Sequence, residues 1–147
     1  MADITATAKR FLDEAEFRYT FNEERNSYEF GLKLENGSAQ VRFTCRDDDD
    51  YFMVFAFWEG KVPVKAVPAV LPIINDINFN TRFTTLTIDP EDGELACHAG
   101  VNIDGATIST EQFGVTMHVV VKCLDDNIDR IMRAAWSTPN NADGKLN

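Results

Sequence analysis

The sequence predicts a two-layer α+β domain, a five-stranded antiparallel sheet with helices on one face. Segments near both ends and in the middle repeat apolar residues at helical spacing, whereas the segments between them alternate apolar and polar residues. Two turn motifs, Asn36-Gly37 and Pro90-Glu91-Asp92-Gly93, join alternating segments into hairpins. The predicted order is therefore α-β-β-β-α-β-β-α, within one domain over residues 1–136 of the 147-residue chain.

The first segment predicts an amphipathic helix of about four turns. Its apolar positions are Ile4, Ala8, Phe11, Leu12 and Ala15. Charged residues occupy the opposite side of the helix, as expected at a protein surface. Either Asp3 or Thr5 can cap the helix start, because both side chains accept a hydrogen bond from a free N–H.

The first hairpin is predicted around Asn36-Gly37, the preferred pair for a two-residue type I′ turn. Counting outward from this turn gives the predicted pairs Leu34 with Ala39, Leu32 with Val41, Phe30 with Phe43 and Tyr28 with Cys45. Each apolar residue then meets another on one face of the sheet.

The third strand is predicted to be apolar on both faces. It runs from Tyr51 to Trp58, after a loop in which the four carboxylates Asp47 to Asp50 repel one another and must be solvated. One face of this strand is expected against the helices. The other needs a cover, either aromatic side chains of neighbouring strands or a second protein chain.

A second helix and a second hairpin follow. The helix is predicted over Ala66 to Asn80, with Pro68 in its first turn and Pro72 either sharing that turn or kinking the helix. The hairpin strands are predicted over Thr81 to Ile88 and Glu94 to Ile103.

A long third helix is predicted to start at a capping box, in which Ser109 is followed three residues later by Gln112. One apolar stripe continues to Ala135, and residues 137–147 are predicted to be a flexible tail. A second stripe consists of Val115, Val119 and Cys123. This stripe needs a cover of its own, which either another helix of the chain or a partner subunit can supply.

Charge and cysteine usage limit the partners. Twenty-four acidic residues against fourteen basic ones give a net charge of −10, which repels nucleic acids and anionic membranes. Three cysteines without close spacing predict free thiols. The sequence contains no apolar run long enough to span a membrane, and we expect a cytoplasmic protein.

The sequence offers little support for catalysis. His98 and His118 are the two histidines, and Cys97 and His98 should point to opposite faces of their strand. The spacing of cysteines and histidines does not suit zinc, and the acidic runs do not follow the calcium-loop pattern. No phosphate-binding loop occurs. We therefore predict no catalytic residue, no cofactor and no metal site.

Three segments resemble the YbjN-like family, described as bacterial sensory transduction regulators. They are Ile74-Asn75-Asp76-Ile77-Asn78, residues 86–95 around the second hairpin turn, and Ile108-Ser109-Thr110-Glu111-Gln112-Phe113. The family is similar in fold to type III secretion chaperones, which are small acidic dimeric proteins that hold an extended segment of a client. The resemblance implies protein binding and brings no catalytic residues.

These observations predict a non-catalytic, dimeric module that binds a protein partner or client segment. The candidate contact residues are Tyr51, Phe55, Phe57, Trp58, Val115, Val119 and Cys123. The same residues can instead be core. The alternative function is a small-molecule binder or an enzyme, with His98 and Arg42 lining a pocket on the open face of the sheet.

Overall fold

The computed structural model describes residues 3–137, which form three α-helices and six β-strands. Their bounds are α1 Ile4–Glu14, β1 Thr20–Asn22, β2 Ser27–Leu34, β3 Gly37–Arg46, β4 Tyr51–Lys61, α2 Val67–Phe79, β5 Thr85–Ile88, β6 Glu94–Asn102 and α3 Thr110–Trp136. Except for Ser137, the predicted tail lies outside the described residues.

The strands form one antiparallel sheet in the order β1-β2-β3-β4-β6-β5. The prediction of five strands is wrong because β1 was missed. This edge strand has three residues, and Thr20 and Phe21 are both exposed, so it leaves no alternating pattern in the sequence. The strand that was predicted to be apolar on both faces, β4, lies between β3 and β6.

All three helices contribute to one core on the inner face of the sheet. Phe113 of α3 is fully buried and stacks on Phe52 and Phe43, with ring centroids 4.1 and 5.3 Å away. Phe11 of α1 packs 6.0 Å from Phe43. The helices α2 and α3 contact each other, and Val70, Ile74 and Ile77 of α2 are buried in the same cluster.

The register of the first hairpin is shifted by two residues from the prediction. Leu34 pairs with Gly37 and Phe30 with Val41, so the two-residue turn is Glu35-Asn36. A shift of two leaves every side chain on its predicted face. The cause lies far along the chain, because the Asp125 carboxylate of α3 accepts hydrogen bonds from the N–H groups of Glu35 and Asn36, both at 3.0 Å.

The start of α1 is capped by a residue that the sequence analysis assigned to a solvated loop. Asp3 occupies the N-cap position, but the Thr5 N–H donates to Asp47 Oδ1 at 3.0 Å. Asn26 reinforces this junction, since its side-chain amide donates to Thr5 Oγ1 and to the Cys45 carbonyl. Asp47 is therefore half-buried, whereas Asp48 and Asp49 are exposed.

The capping box of α3 is confirmed. Ser109 Oγ accepts from the Gln112 N–H at 3.3 Å, and the Ser109 N–H donates to Gln112 Oε1 at 2.7 Å. The strand β5 begins at Thr85 rather than at the predicted Thr81, whose hydroxyl instead donates to the Ile77 carbonyl near the end of α2. Pro72 lies inside α2 rather than in its first turn.

Candidate functional site

The outer face of the sheet carries a row of large apolar side chains along β4. The row consists of Tyr51, Met53, Phe55 and Phe57, and each of these residues is half-buried. The Phe55 and Phe57 rings stack with centroids 5.7 Å apart and an angle of 10° between their planes. The intervening residues Phe52, Val54 and Ala56 are fully buried on the inner face. We call Tyr51, Met53, Phe55 and Phe57 the aromatic row.

Polar residues of β3 flank the aromatic row on one side. The Arg42 guanidinium lies 4.8 Å from the Phe57 ring centroid, a cation–π contact, and its Nε is 3.5 Å from Glu29 Oε2. Burial lowers the pKa of Arg42, and the nearby charge of Arg25 adds to this effect. Arg42 is thereby held flat against the sheet and widens the apolar surface with its stem.

Small residues of β6 flank the row on the other side. Met53 Sδ lies over Gly100, where any Cβ would collide with it. His98 lies between Ala96 and Gly100 with its ring 5.5 Å from that of Phe55, while Cys97 points into the core as predicted. The outer face thus carries an apolar strip along β4. Polar residues of β3 lie on one side of this strip, and the small residues Ala96 and Gly100 of β6 lie on the other.

The outer face has no large charge imbalance, in contrast to the whole chain. Strand alternation and pairing place four basic and three acidic residues on it: Lys33, Arg42, Arg46, Lys61, Glu29, Glu59 and Glu94. The chain as a whole carries −10. The acidic excess therefore lies on other surfaces.

A cleft of about 320 Å³ opens at one end of the outer face. Its lining residues are Gln40, Arg42, Phe57, Trp58, Glu59, Lys61 and Glu94. Three of its polar side chains are already paired, because Gln40 donates to Glu59 and Lys61 donates to Asp92, both at 3.0 Å. His98 does not line this cleft; it pairs with Phe55 from β6, on the side of β4 opposite to Arg42.

Trp58 is separated from the aromatic row. Its indole N–H donates to the Asn36 carbonyl at 3.0 Å, and its ring lies against Gly37 and Gly60. A Cβ at either glycine would overlap the indole, so both positions suit glycine. Trp58 thus fastens the end of β4 to the first hairpin turn.

The second stripe of α3 is split between two environments. Val115 is 64% exposed, whereas Val119 and Cys123 are half-buried. The latter two line a cleft of about 280 Å³ together with Thr81, Arg82, Thr84, Lys122, Asp126 and Asn127. We call this the thiol cleft. The α2–β5 connection therefore supplies part of the cover that the stripe needs.

The sequence analysis missed a further apolar surface around α2. Phe79 and Phe83 are 85% and 86% exposed, and Val64 and Leu71 are about half exposed at 51% and 48%. Leu71, Phe79 and Phe83 were counted as parts of a predicted helix or strand, and Val64 lay between two predicted elements. The signal available in the sequence was the spacing of Leu71, Asn75 and Phe79, which places Phe79 on a face without core residues.

Within residues 3–137, no cluster of three or more His, Cys, Asp or Glu side chains is arranged to hold a metal ion. None of the helices in the same range is long and apolar enough to cross a bilayer.

A family model described as "YbjN: Putative bacterial sensory transduction regulator" matches residues 9–133. The chain belongs to the YbjN family. The match covers every strand and most of α1 and α3, so the family assignment applies to the sheet and both of its faces. No curated protein sequence matches the chain.

Solved structures show how widely the YbjN fold is shared. The E. coli protein described as "YbjN, a putative transcription regulator" superimposes with a TM-score of 0.64 at 11% identity, covering 86% of this chain and 92% of that one. A chain of the ExsC-ExsE complex reaches 0.61 at 11% identity, covering 91% and 95%. The Yersinia pestis type III secretion chaperone SycH, in complex with a fragment of YscM2, reaches 0.51 at 12% identity, covering 88% and 98%. At these identities the similarity establishes the fold.

Proposed function

We propose that the protein is a non-catalytic binding module of the regulatory or chaperone type, which holds an extended segment of another polypeptide on the outer face of its sheet. The observation that carries this proposal is the aromatic row, a set of large apolar side chains on the face opposite to the described helices. Removing apolar area from water contributes roughly 25 cal/mol for each Å², which offsets the entropy lost when the bound segment becomes ordered.

The chemistry of the face favours a polypeptide partner. Its nearly balanced charges give little attraction for a polyanion, and the alternate apolar side chains along β4 suit a segment whose own apolar side chains alternate. The first contacts proposed are Tyr51, Phe55 and Phe57. Val115 is a separate candidate on α3, while Trp58, Val119 and Cys123 already have contacts inside the chain that explain their positions.

The relatives support a binding role. ExsC is in a complex with ExsE, and SycH is in complex with a fragment of YscM2. The E. coli YbjN is described as "a putative transcription regulator". Each of these descriptions concerns that protein, and we extend only the general idea of partner binding to this chain.

Site-specific crosslinking in the native host tests the proposal. The photoreactive analogue p-benzoylphenylalanine replaces Phe57, which preserves an aromatic side chain, and the matched control places it at Arg10, an exposed residue of α1. We expect position 57 to crosslink to one partner protein within a defined segment, and Phe55→Glu in the same chain to abolish the product. Equal products from positions 57 and 10, or products insensitive to Phe55→Glu, would contradict the proposal.

The alternative function, small-molecule binding or catalysis, depends on the cleft beside Arg42. Its volume of about 320 Å³ lies at the lower end of ligand pockets, which usually span about 300–1,000 Å³. The internal pairing of Gln40 with Glu59 and of Lys61 with Asp92 leaves few polar groups to fix a ligand. The binding module therefore fits the geometry better.

We further propose a homodimer, and two exposed apolar residues support it: Phe79 at the end of α2 and Phe83 in the α2–β5 connection. Phe79 and Phe83 would lower the solubility of a monomer, because two large apolar side chains would be left exposed to water. Phe79→Glu combined with Phe83→Glu should convert the dimer to a monomer in light scattering. Val119→Glu distinguishes this contact from one through the second stripe of α3. A wild-type mass equal to one chain would refute the dimer.

A further inference from the structure

Two of the three cysteines meet in the core between α3 and β6. Cys97 is buried on the inner face of β6, and Cys123 of α3 packs against the same core cluster, where each thiol affects the ionisation of the other. The third, Cys45, is buried elsewhere in the core, at the end of β3. Cys123 alone of the three is half-buried and lines the thiol cleft. The pair thus joins one shielded thiol with one that small solutes can reach.

Polar groups that face the pair are suited to a charged sulfur. Asn127 Nδ2 lies 3.8 Å from Cys123 Sγ while it donates to the Cys123 carbonyl at 2.7 Å. Thr84 lies beside both thiols and is buried, with a relative exposure of 6%. Its hydroxyl makes no hydrogen bond of normal geometry within the described chain. A buried hydroxyl without a partner is costly, and a thiolate is an acceptor that can satisfy it.

The ionisation of the pair is strongly asymmetric. The hydrogen bond from Cys97 lowers the pKa of Cys123 to about 6, with Thr84 and Asn127 acting in the same direction against burial and Asp126. The same thiol contact, together with burial, raises the pKa of Cys97. Burial raises the pKa of Cys45 to about 12. The thiol cleft is also lined by Arg82 and by Lys122, which pairs with Asp126 at 2.9 Å.

We propose that Cys97 and Cys123 form an oxidisable dithiol, in which Cys123 attacks a hydroperoxide and Cys97 resolves the product as an intramolecular disulfide. The Cys123 thiolate displaces hydroxide from hydrogen peroxide and becomes a sulfenic acid. The Cys97 sulfur then attacks that sulfenic sulfur, and water leaves with the proton of the Cys97 thiol. Two thiols are oxidised and one peroxide is reduced to two molecules of water. This modification site is independent of the proposed partner-binding role.

Rates of alkylation in the folded wild-type protein give the first test. Trypsin places Cys45, Cys97 and Cys123 in three separate peptides, residues 43–46, 83–122 and 123–130. We expect iodoacetamide at neutral pH to modify Cys123 at least about tenfold faster than Cys45 or Cys97, because a thiolate at an open cleft is the reactive form. Equal rates for Cys123 and Cys45 would overturn the proposal.

Oxidation by hydrogen peroxide gives the second test. The monomer should lose two hydrogen atoms in intact mass, and its digest should contain peptide 83–122 linked to peptide 123–130. Cys97→Ser should instead accumulate a Cys123 sulfenic acid that dimedone traps, while the matched variant Cys45→Ser should still form the disulfide. Disulfides only between chains, or no link between Cys97 and Cys123, would overturn the proposal. Both wild-type measurements stand without a variant if Cys97→Ser fails to fold.

Discussion

Replacing Asp125 by alanine should release the first hairpin from α3. The Asp125 carboxylate accepts three hydrogen bonds from the hairpin turn: from the Glu35 N–H at 3.0 Å, from the Asn36 N–H at 3.0 Å and from Asn36 Nδ2 at 3.1 Å. Hydrogen bonds to a charged acceptor contribute about 1.5–3 kcal/mol each when they are shielded. Asp125 lies near the surface and water competes for the same groups, so we expect a total loss of about 2 kcal/mol.

Trp58 provides the assay, because its indole N–H donates to the carbonyl of Asn36 in the same turn. In a Trp136→Phe background, Trp58 is the remaining tryptophan, and its fluorescence can follow urea unfolding. For a domain of this size, about 2 kcal/mol corresponds to a fall in Tm of about 4–8 °C. Asp129→Ala is the control, since Asp129 is an exposed α3 carboxylate whose contact with Arg133 is 3.9 Å long.

The pH dependence of the same variant tests the cause. Partial burial alone would raise the pKa of Asp125, but hydrogen bonds from Glu35 and Asn36 hold the pKa below its usual value. A lowered folded-state pKa stabilises the protein above the unfolded pKa of about 4, and this stability is lost as the pH falls through the folded value. The difference between wild type and Asp125→Ala should therefore shrink in acid. A difference that stays constant down to about pH 2, or a variant as stable as Asp129→Ala, would refute the reasoning.

Three further predictions concern the core and the thiols. Phe113→Ala should lower the free energy of unfolding by about 3–5 kcal/mol in urea titrations, because it removes a ring stacked on Phe43 and Phe52; a loss below about 1 kcal/mol would contradict the packing. Asn78→Ala should lower the free energy of unfolding by about 1–3 kcal/mol, because the Asn78 side chain donates to the Leu86 carbonyl and accepts from the Leu86 N–H. Hydrogen exchange at the Leu86 amide should then be faster than in the wild type. Alkylation of Cys123 should slow as the pH falls through about 6, whereas a rate that keeps rising up to pH 8.5 would indicate an ordinary thiol.

Local features of the fold could be predicted from the sequence. The capping box of α3 involves residues three apart, and the turn of the second hairpin is closed by Asp89 and Gly93, so neighbouring residues suffice to recognise both. The register of the first hairpin could not be predicted in this way. Local turn chemistry favours a turn at Asn36-Gly37. Asp125, 89 residues after Asn36, instead binds the backbone of Glu35-Asn36, and this tertiary contact determines the register.

The proximity of Cys97 and Cys123 also could not be predicted from the sequence. Cys97 was correctly placed on the inner face of its strand, and Cys123 on the second stripe of α3. Their meeting depends on which strand α3 crosses, and that follows from the sheet order, in which β6 inserts between β4 and β5. Alternation along a strand fixes the face of a residue but not its neighbours across the layer.

The strand β4 shows how far alternation can lead toward function. Every residue from Tyr51 to Trp58 is apolar, so the sequence indicates two apolar faces but not which one the helices cover. Phe113 decides this, because its ring stacks on Phe52 and commits the even-numbered residues to the core. The odd-numbered residues then remain on the outer face, between the polar side chain of Arg42 on β3 and the small residue Gly100 on β6. Since adjacent positions of one strand differ in this way, substitutions at Phe55 and Phe57 should affect partner binding more than folding, and Val54→Ala should do the reverse.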